Sequence, residues 1–230
     1  MVEMLPSADV IRADFDRIAN HSTAADRLEP AAQRLVAEVP LRSRVLEIGC
    51  GTGAFARELA SKRGARITAV DLAPRMIDVA RVRTNANLGI EYRVADFMDL
   101  SPRGFDVAIA INTLHHLPLA VAAERMAQSV LPGGLVLIAD LFDARGLGEL
   151  PYNGLSWLLR QPRERDPQLV AAWDEHWQHD AHLPLREIRA TLRGVLPGVS
   201  VRRHLGWRYT AMWRKPLERA PHPLAKGSVR

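Results

Sequence analysis

Val45-Leu46-Glu47-Ile48-Gly49-Cys50-Gly51-Thr52-Gly53 decides how this chain folds. An apolar run carrying one acid ends in three glycines that alternate with small residues. The pattern predicts a buried strand, a tight turn and a helix beginning at Ala54. Glycine admits positive φ and close approach of the backbone to a ligand. The start of the following helix presents unpaired N–H groups and the positive end of its dipole. A nucleotide-like, partly anionic ligand is expected there. The loop alone also satisfies the G-x-G-x-x-G/A spacing of dinucleotide sites.

Outward from the loop, short apolar runs alternate with amphipathic segments. Strands are expected at Arg44–Ile48, Arg66–Val70, Glu91–Val94, Phe105–Ile111 and Leu135–Ala139, and helices at Ala54–Arg63, Pro74–Arg83 and Leu119–Val130. That order argues for a parallel, doubly wound sheet with its ligand beyond the carboxyl ends of the strands. Two helices precede it, over residues 9–20 and from Asp26 to Val39. After Asp140 the rhythm breaks. Residues 143–184 are rich in Pro, Gly, Trp and charge, with a helical patch at Asp166–His179, and so long a connection is expected to be a lid. A helix at Leu185–Leu196 and two alternating segments, Val199–His204 and Trp207–Arg214, read as a last helix and an antiparallel hairpin at the sheet edge.

The bulk properties narrow the field. The 230 residues suit one α/β domain with an extension, and 47% hydrophobic and 25% charged residues are ordinary for a globular chain. The formal charge of +5 comes largely from scattered arginines with no basic run, so no nucleic-acid partner is expected. No apolar run is long enough to span a membrane and no leader pattern is visible, so a cytoplasmic location is expected and no membrane partner. The single cysteine, Cys50, excludes an internal disulfide framework.

Four features refine the ligand. Asp71 ends the second strand at the offset of a ribose-binding acid. It could equally cap the helix at Pro74, and the two roles are compatible. Glu47, two residues before the first glycine, is awkward beside a pyrophosphate but suits a cofactor bearing a sulfonium and an ammonium. Asp96 after the third strand can accept from an adenine amine, and Phe97 can pack on the base. The fourth strand then runs into Ile111-Asn112-Thr113-Leu114-His115-His116, and Leu131-Pro132-Gly133-Gly134 turns into the fifth.

In this succession, from about Phe15 to Phe142, the chain resembles the class I S-adenosylmethionine-dependent methyltransferases, near the small-molecule "type 11" and ubiquinone-biosynthesis-like group. The resemblance implies an α/β fold: a doubly wound, mostly parallel, seven-stranded Rossmann-like sheet ending in an antiparallel hairpin, with an inserted helical lid. It implies pocket-closing helices over 1–40, a cofactor core over 41–142, a lid over 143–184, the final helix and hairpin over 185–216, and a flexible tail over 217–230. It also implies S-adenosyl-L-methionine as cofactor and S-adenosyl-L-homocysteine as product. Glu47, Gly49, Cys50, Gly51 and Gly53 would line the methionine and ribose region, with Asp71 on the ribose. Leu72 and Met76 would flank the adenine, Asp96 and Phe97 would hold its edge, and Ile111 and Asn112 would face the amino-acid end. Ala73 stands where many members have Ser, which removes a helix cap.

Methyl transfer needs alignment, exclusion of water and, for some acceptors, a base. The candidates are His116, preferred, and His115; the other reading is a structural histidine pair. Phe15, Tyr152 and Trp157 are candidate acceptor contacts. Leu169, Val170, Trp173 and Trp177 fall on one helical face, which reads as packing of the lid. His176, His179 and His182, with Asp174 and Glu175, read as a solvated helix face that does not converge, so no metal is expected. The expected partner is a small-molecule acceptor, with no oligomeric state legible. Two other functions fit the loop less well. An NAD(P) oxidoreductase is disfavoured by Glu47 and by the absence of a Tyr-x-x-x-Lys pair. A nucleic-acid methyltransferase of the Asn/Asp-Pro-Pro-Tyr/Phe kind is disfavoured by Ile111-Asn112-Thr113-Leu114.

Overall fold

A computed structural model describes residues 5–22, 28–144, 150–158, 166–178, 180 and 182–217, the side chains of 150, 157 and 158 excepted. Seven strands form one sheet: β1 (Arg44–Ile48), β2 (Arg66–Asp71), β3 (Ile90–Val94), β4 (Phe105–Ile111), β5 (Val130–Leu141), β6 (Ser200–His204) and β7 (Arg208–Arg214). Their order is 3-2-1-4-5-7-6. β1 to β5 are parallel, and β7 runs antiparallel between β5 and β6. The doubly wound sheet and its antiparallel end are therefore as the sequence implies. The helices are α1 (Ala8–Asn20), α2 (Pro30–Glu38), α3 (Ala54–Arg63), α4 (Pro74–Arg83), α5 (Leu119–Ser129), α6 (Leu150–Leu158), α7 (Pro167–Trp177) and α8 (Leu185–Val195). None of the described helices is long and apolar enough to cross a membrane.

Period-two alternation in the strands builds a core on each face. Leu46, Ile48, Ala108, Ala110, Val136 and Ile138 meet Ala122, Ala123 and Met126 of α5 and Ile188 and Leu192 of α8. Val45, Ile67, Val107, Ile109, Leu135 and Leu137 point the other way, onto Leu35 and Val36 of α2 and Phe55 and Leu59 of α3. Because both faces are covered, β1 and β4 read as continuous apolar runs. Each buried Val, Leu, Ile, Met or Phe among them contributes roughly 1.5–3 kcal/mol on burial.

Two elements differ from the sequence reading. β5 begins earlier than expected, at Val130, and the Leu131-Pro132-Gly133-Gly134 turn interrupts its pairing: Val130 faces Phe105 and Leu135 faces Val107, with Gly133 at φ +80°. The Gly133 N–H donates to the Lys215 carbonyl at 2.9 Å and the Lys215 N–H to Gly134 at 2.8 Å, which extends the pairing toward the chain end. α7 stops at Trp177, before the expected His179.

Above the carboxyl ends of the strands, Ile18 and Ala19 of α1, Ala73 and Met76 at α4, and Ala172 of α7 form a third, smaller apolar cluster. It places α1 and α7 as a roof over the glycine loop. An Arg17–Glu175 ion pair joins the two helices. α6 goes elsewhere: its Asn153 accepts from the Trp207 indole at 2.8 Å and its Ser156 from the Gly206 N–H at 3.2 Å, which clamps it to the β6–β7 hairpin.

Candidate active site

The loop after β1 is held from several sides. The Gly49 and Cys50 N–H groups donate to Val70 at 2.8 and 3.1 Å. Gly49 has φ +67°, and a Cβ there would fall 2.2 Å from Thr113 Oγ1; at Gly53 it would fall 2.4 Å from the Tyr92 hydroxyl. These two glycines are required by packing. Gly51, at φ +51°, has nothing within 4 Å on that side, which leaves its backbone open to the cavity.

Asp71 ties the loop to the next strand and helix. One carboxylate oxygen accepts from the Gly51 N–H at 2.7 Å and the other from the Ala73 N–H at 2.9 Å. The bond that a Ser at position 73 would make is supplied from α1, where Asp16 accepts from the Arg75 N–H at 2.9 Å. Burial raises its pKa, against the two N–H groups. Asp96 likewise accepts from the Met98 N–H at 2.8 Å and places buried Phe97 against the cavity.

Glu47 is 2% exposed and its Oε2 has no hydrogen-bond partner among the described residues. Burial, then the Asp71 charge, pushes its carboxyl up to about 8. A buried half-satisfied acid is costly unless a donor or cation meets it. Burial, with Glu47 and Asp71, also pushes the Cys50 thiol well up, so it is no nucleophile at neutral pH.

β4 ends in the next group of site residues. Asn112 sits at φ +51°. Its N–H donates to Ala139 at 2.8 Å, and its side-chain oxygen accepts from Arg208 at 2.6 Å. Arg208, at the start of β7, also lies 3.8 Å from Glu29. In the short 3-10 turn Leu114–His116, the His115 ring Nδ1 lies 2.5 Å from buried Asp140, whose other oxygen accepts from the His115 N–H at 3.1 Å. Burial opposes the charge on His115, but Asp140 outweighs it and the ring pKa is raised. His116 goes the other way: burial and then the neighbouring His115, His176 and His182 hold it neutral. Neither of its ring nitrogens has a hydrogen-bond partner among the described residues.

All these strand ends open on one cavity of about 1000 Å³. Its lining includes Glu47, Gly49, Cys50, Gly51, Asp71, Leu72, Met76, Asp96, Phe97, Ile111, Asn112, His115 and His116. Gly53 is set back as the cap of α3. Phe15 lines the roof, edge-on to His116 with ring centroids 5.5 Å apart. Tyr152 does not reach the cavity: its ring lies 3.4 Å beneath the Arg203 guanidinium and packs toward Phe142, because α6 is bound to the hairpin. The Trp157 side chain lies outside the described residues.

The solvated-face expectation for the late histidines is corrected. His176 is 1% exposed. It lies 3.2 Å from Asp14 through Nδ1 and 3.3 Å from Asp180 through Nε2. Asp180 is also 3.3 Å from His116 and 3.9 Å from His115, while His182 stacks on His115 with centroids 4.9 Å apart. These side chains converge because the helix ends at Trp177 and the following chain folds back over the histidine pair. A helical period carried through residue 182 scatters them instead. His179 lies outside the described residues. Arg208, Asp140, Asp14, Trp173, His176 and Asp180 are the site residues that sequence reasoning missed.

A glycine loop after β1 and acids at the ends of β2 and β3 define an enzyme that binds an adenosine cofactor. Glu47, with Oε2 lacking a hydrogen-bond partner among the described residues, faces the same cavity beside the loop. Residues 45–134 match the family model described as a methyltransferase domain. An uncharacterized methyltransferase of Mycobacterium tuberculosis is 32% identical over 193 residues, which is 80% of this chain and 93% of that protein. A ubiquinone biosynthesis O-methyltransferase of Xanthomonas axonopodis is 35% identical over 153 residues, 64% of this chain and 62% of that one. Among solved structures, the magnesium protoporphyrin IX methyltransferase of Synechocystis with bound S-adenosylhomocysteine shares the fold, with a TM-score of 0.62 at 14% identity over 91% of this chain and 100% of that one. The chain belongs to the class I S-adenosylmethionine-dependent methyltransferases. It is an enzyme that uses S-adenosylmethionine as methyl donor, and the dinucleotide-dependent alternative falls away.

Proposed function

We propose that the acceptor is a small molecule and that it is methylated on oxygen or nitrogen. The cavity carries this reading. It runs from the Glu47–Gly51 loop to the histidine pair, and at about 1000 Å³ it stands at the upper end of the range for small-molecule sites, leaving space beside a cofactor. The acceptor end is roofed by Phe15 and Trp173, which suits a compact, partly apolar molecule better than a nucleic-acid chain. The relative named for O-methylation in ubiquinone biosynthesis supports oxygen.

In this assignment Glu47, Arg208 and Asn112 hold the charged amino-acid end of the cofactor. Gly51 and Asp71 hold the ribose, and Leu72, Met76, Asp96 and Phe97 hold the adenine. The bound cofactor supplies an electrophilic methyl group on sulfonium. The protein supplies alignment and a dry cavity, and the acceptor sheds its proton at the histidine end, where His115 and His116 stand. The test is transfer from methyl-tritiated S-adenosylmethionine into a panel of phenols, hydroxyacids and amines, with tRNA and DNA in parallel. Label in the small-molecule fraction is expected. Label appearing in nucleic acid alone refutes the assignment.

A further inference from the structure

We propose that His115, His116, His176 and Asp180 form a binding site for a divalent transition-metal ion at the acceptor end of the cavity. One ligand atom each from His115, His116 and Asp180 lies within 4.8 Å of the others. His176 Nε2 adds a third imidazole, 3.3 Å from Asp180 Oδ1. In a tetrahedral site with metal–ligand bonds of about 2.1 Å, ligand atoms stand about 3.4 Å apart. The His116–Asp180 and His176–Asp180 separations of 3.3 Å already have that spacing. His115 Nε2 lies 3.9 Å from the other carboxylate oxygen, Oδ2, so it would have to turn toward the Oδ1 side to join the same ion.

Two further observations point to a cation. Both ring nitrogens of His116 and Oδ1 of Asp180 are buried without a hydrogen-bond partner among the described residues, on side chains 6% and 3% exposed. An ion would satisfy His116 Nδ1 and Asp180 Oδ1 together. Each outer imidazole is also backed by a carboxylate on its far nitrogen, Asp140 on His115 at 2.5 Å and Asp14 on His176 at 3.2 Å. That pairing fixes the tautomer and directs Nε2 inward, as in carboxylate–histidine–metal arrangements. Three imidazoles and one carboxylate favour zinc, cobalt or iron(II) over magnesium or calcium. All four side chains line the cavity, so an acceptor oxygen would enter from the cavity side as a fifth ligand, expanding the site to five-coordinate.

The role of the ion deepens the proposed function and rests on it. An acceptor hydroxyl brought to the cavity side would lose its proton to water more readily, with His115 and His116 acting as ligands rather than as bases. The new O–CH3 bond then forms as the S–CH3 bond breaks, its electron pair remaining on sulfur.

The experiment reads metal binding without turnover. The untagged protein is stripped with chelator, then titrated with zinc by calorimetry and with cobalt(II) by visible absorption. Expected are about one equivalent per chain and the absorption of a four- or five-coordinate cobalt–imidazole site. Asp180→Asn and His176→Gln should each weaken zinc at least tenfold, and Asp140→Asn should weaken it about 10- to 100-fold through its hold on His115. S-adenosylhomocysteine binding, measured on the same samples, shows whether each variant is folded and tests the cofactor assignment separately. Less than a tenth of an equivalent bound by wild type overturns the proposal. So does zinc affinity unchanged in both Asp180→Asn and His176→Gln.

Discussion

Cofactor affinity should titrate with Glu47. In the free protein burial and the Asp71 charge raise this acid to about 8, so below that pH it is neutral. The cofactor brings positive charge to it and favours the carboxylate. Binding below pH 8 must therefore expel a proton, at about 1.4 kcal/mol per pH unit. From pH 8 to pH 6 the affinity should weaken by up to about 100-fold, or about 3 kcal/mol, and above pH 8 it should level off. Calorimetry with S-adenosylmethionine in buffers from pH 6 to 9 measures this, with quenching of Trp173 as a second readout, since that side chain lines the cavity. Glu47→Gln controls for titration of the cofactor's own amine: it should bind weakly with a much flatter pH profile. A wild-type affinity constant within twofold across the range, or the same slope in the variant, would refute the reasoning.

The same acid makes the cofactor-free protein pH-sensitive. Its folded pKa lies above the ordinary value of 4.5, so its favourable contribution is complete below 4.5 and is lost as pH rises through about 8. Tm without cofactor should fall from pH 5 to pH 8, and fall less in Glu47→Gln. Asp71→Ala removes acceptors from the Gly51 and Ala73 N–H groups. Each such charge-assisted bond contributes roughly 1.5–3 kcal/mol, so calorimetry should show cofactor affinity at least tenfold weaker; unchanged affinity rejects the assignment. Gly49→Ala should lower Tm strongly, because the new Cβ meets Thr113 at 2.2 Å. Gly51→Ala meets nothing within 4 Å, so it should melt only slightly lower, by about 1 kcal/mol of strain at positive φ, yet bind cofactor poorly. Equal thermal effects in the two variants would contradict the division between packing and ligand-facing glycines.

The parallel half of the fold is legible because its signals are local. A strand buried on both faces reads as an apolar run, and Glu47 and Asp71 each sit at or beside the end of such a run, while Asp96 follows the half-exposed edge strand β3. Asp140 follows the same rule at the end of β5, and a strand-end acid was the signal available for it. Arg208 gives no such sign: it reaches Asn112 only because β7 inserts beside β5. His176 and Asp14 meet across 162 residues, which no period reports. Asp180 was missed because Trp177-Gln178-His179-Asp180 holds neither Gly nor Pro to mark where α7 ends. Tyr152 is aromatic and follows the sheet, yet it serves the hairpin, since what α6 packs against is decided by Trp207 and Gly206.

The place of β7 between β5 and β6 bears on how the chain is made. A ribosome delivers β1 to β5 first, in sheet-forming order. Until residues 208–214 emerge, β5 is an edge whose backbone groups are unpaired along Leu135–Leu141. Exposed apolar edges invite pairing with other chains. Over the same interval Arg208 is missing from the cofactor cavity. The nascent enzyme thus stays both sticky and incomplete until its last strand slots in, and one event ends both conditions.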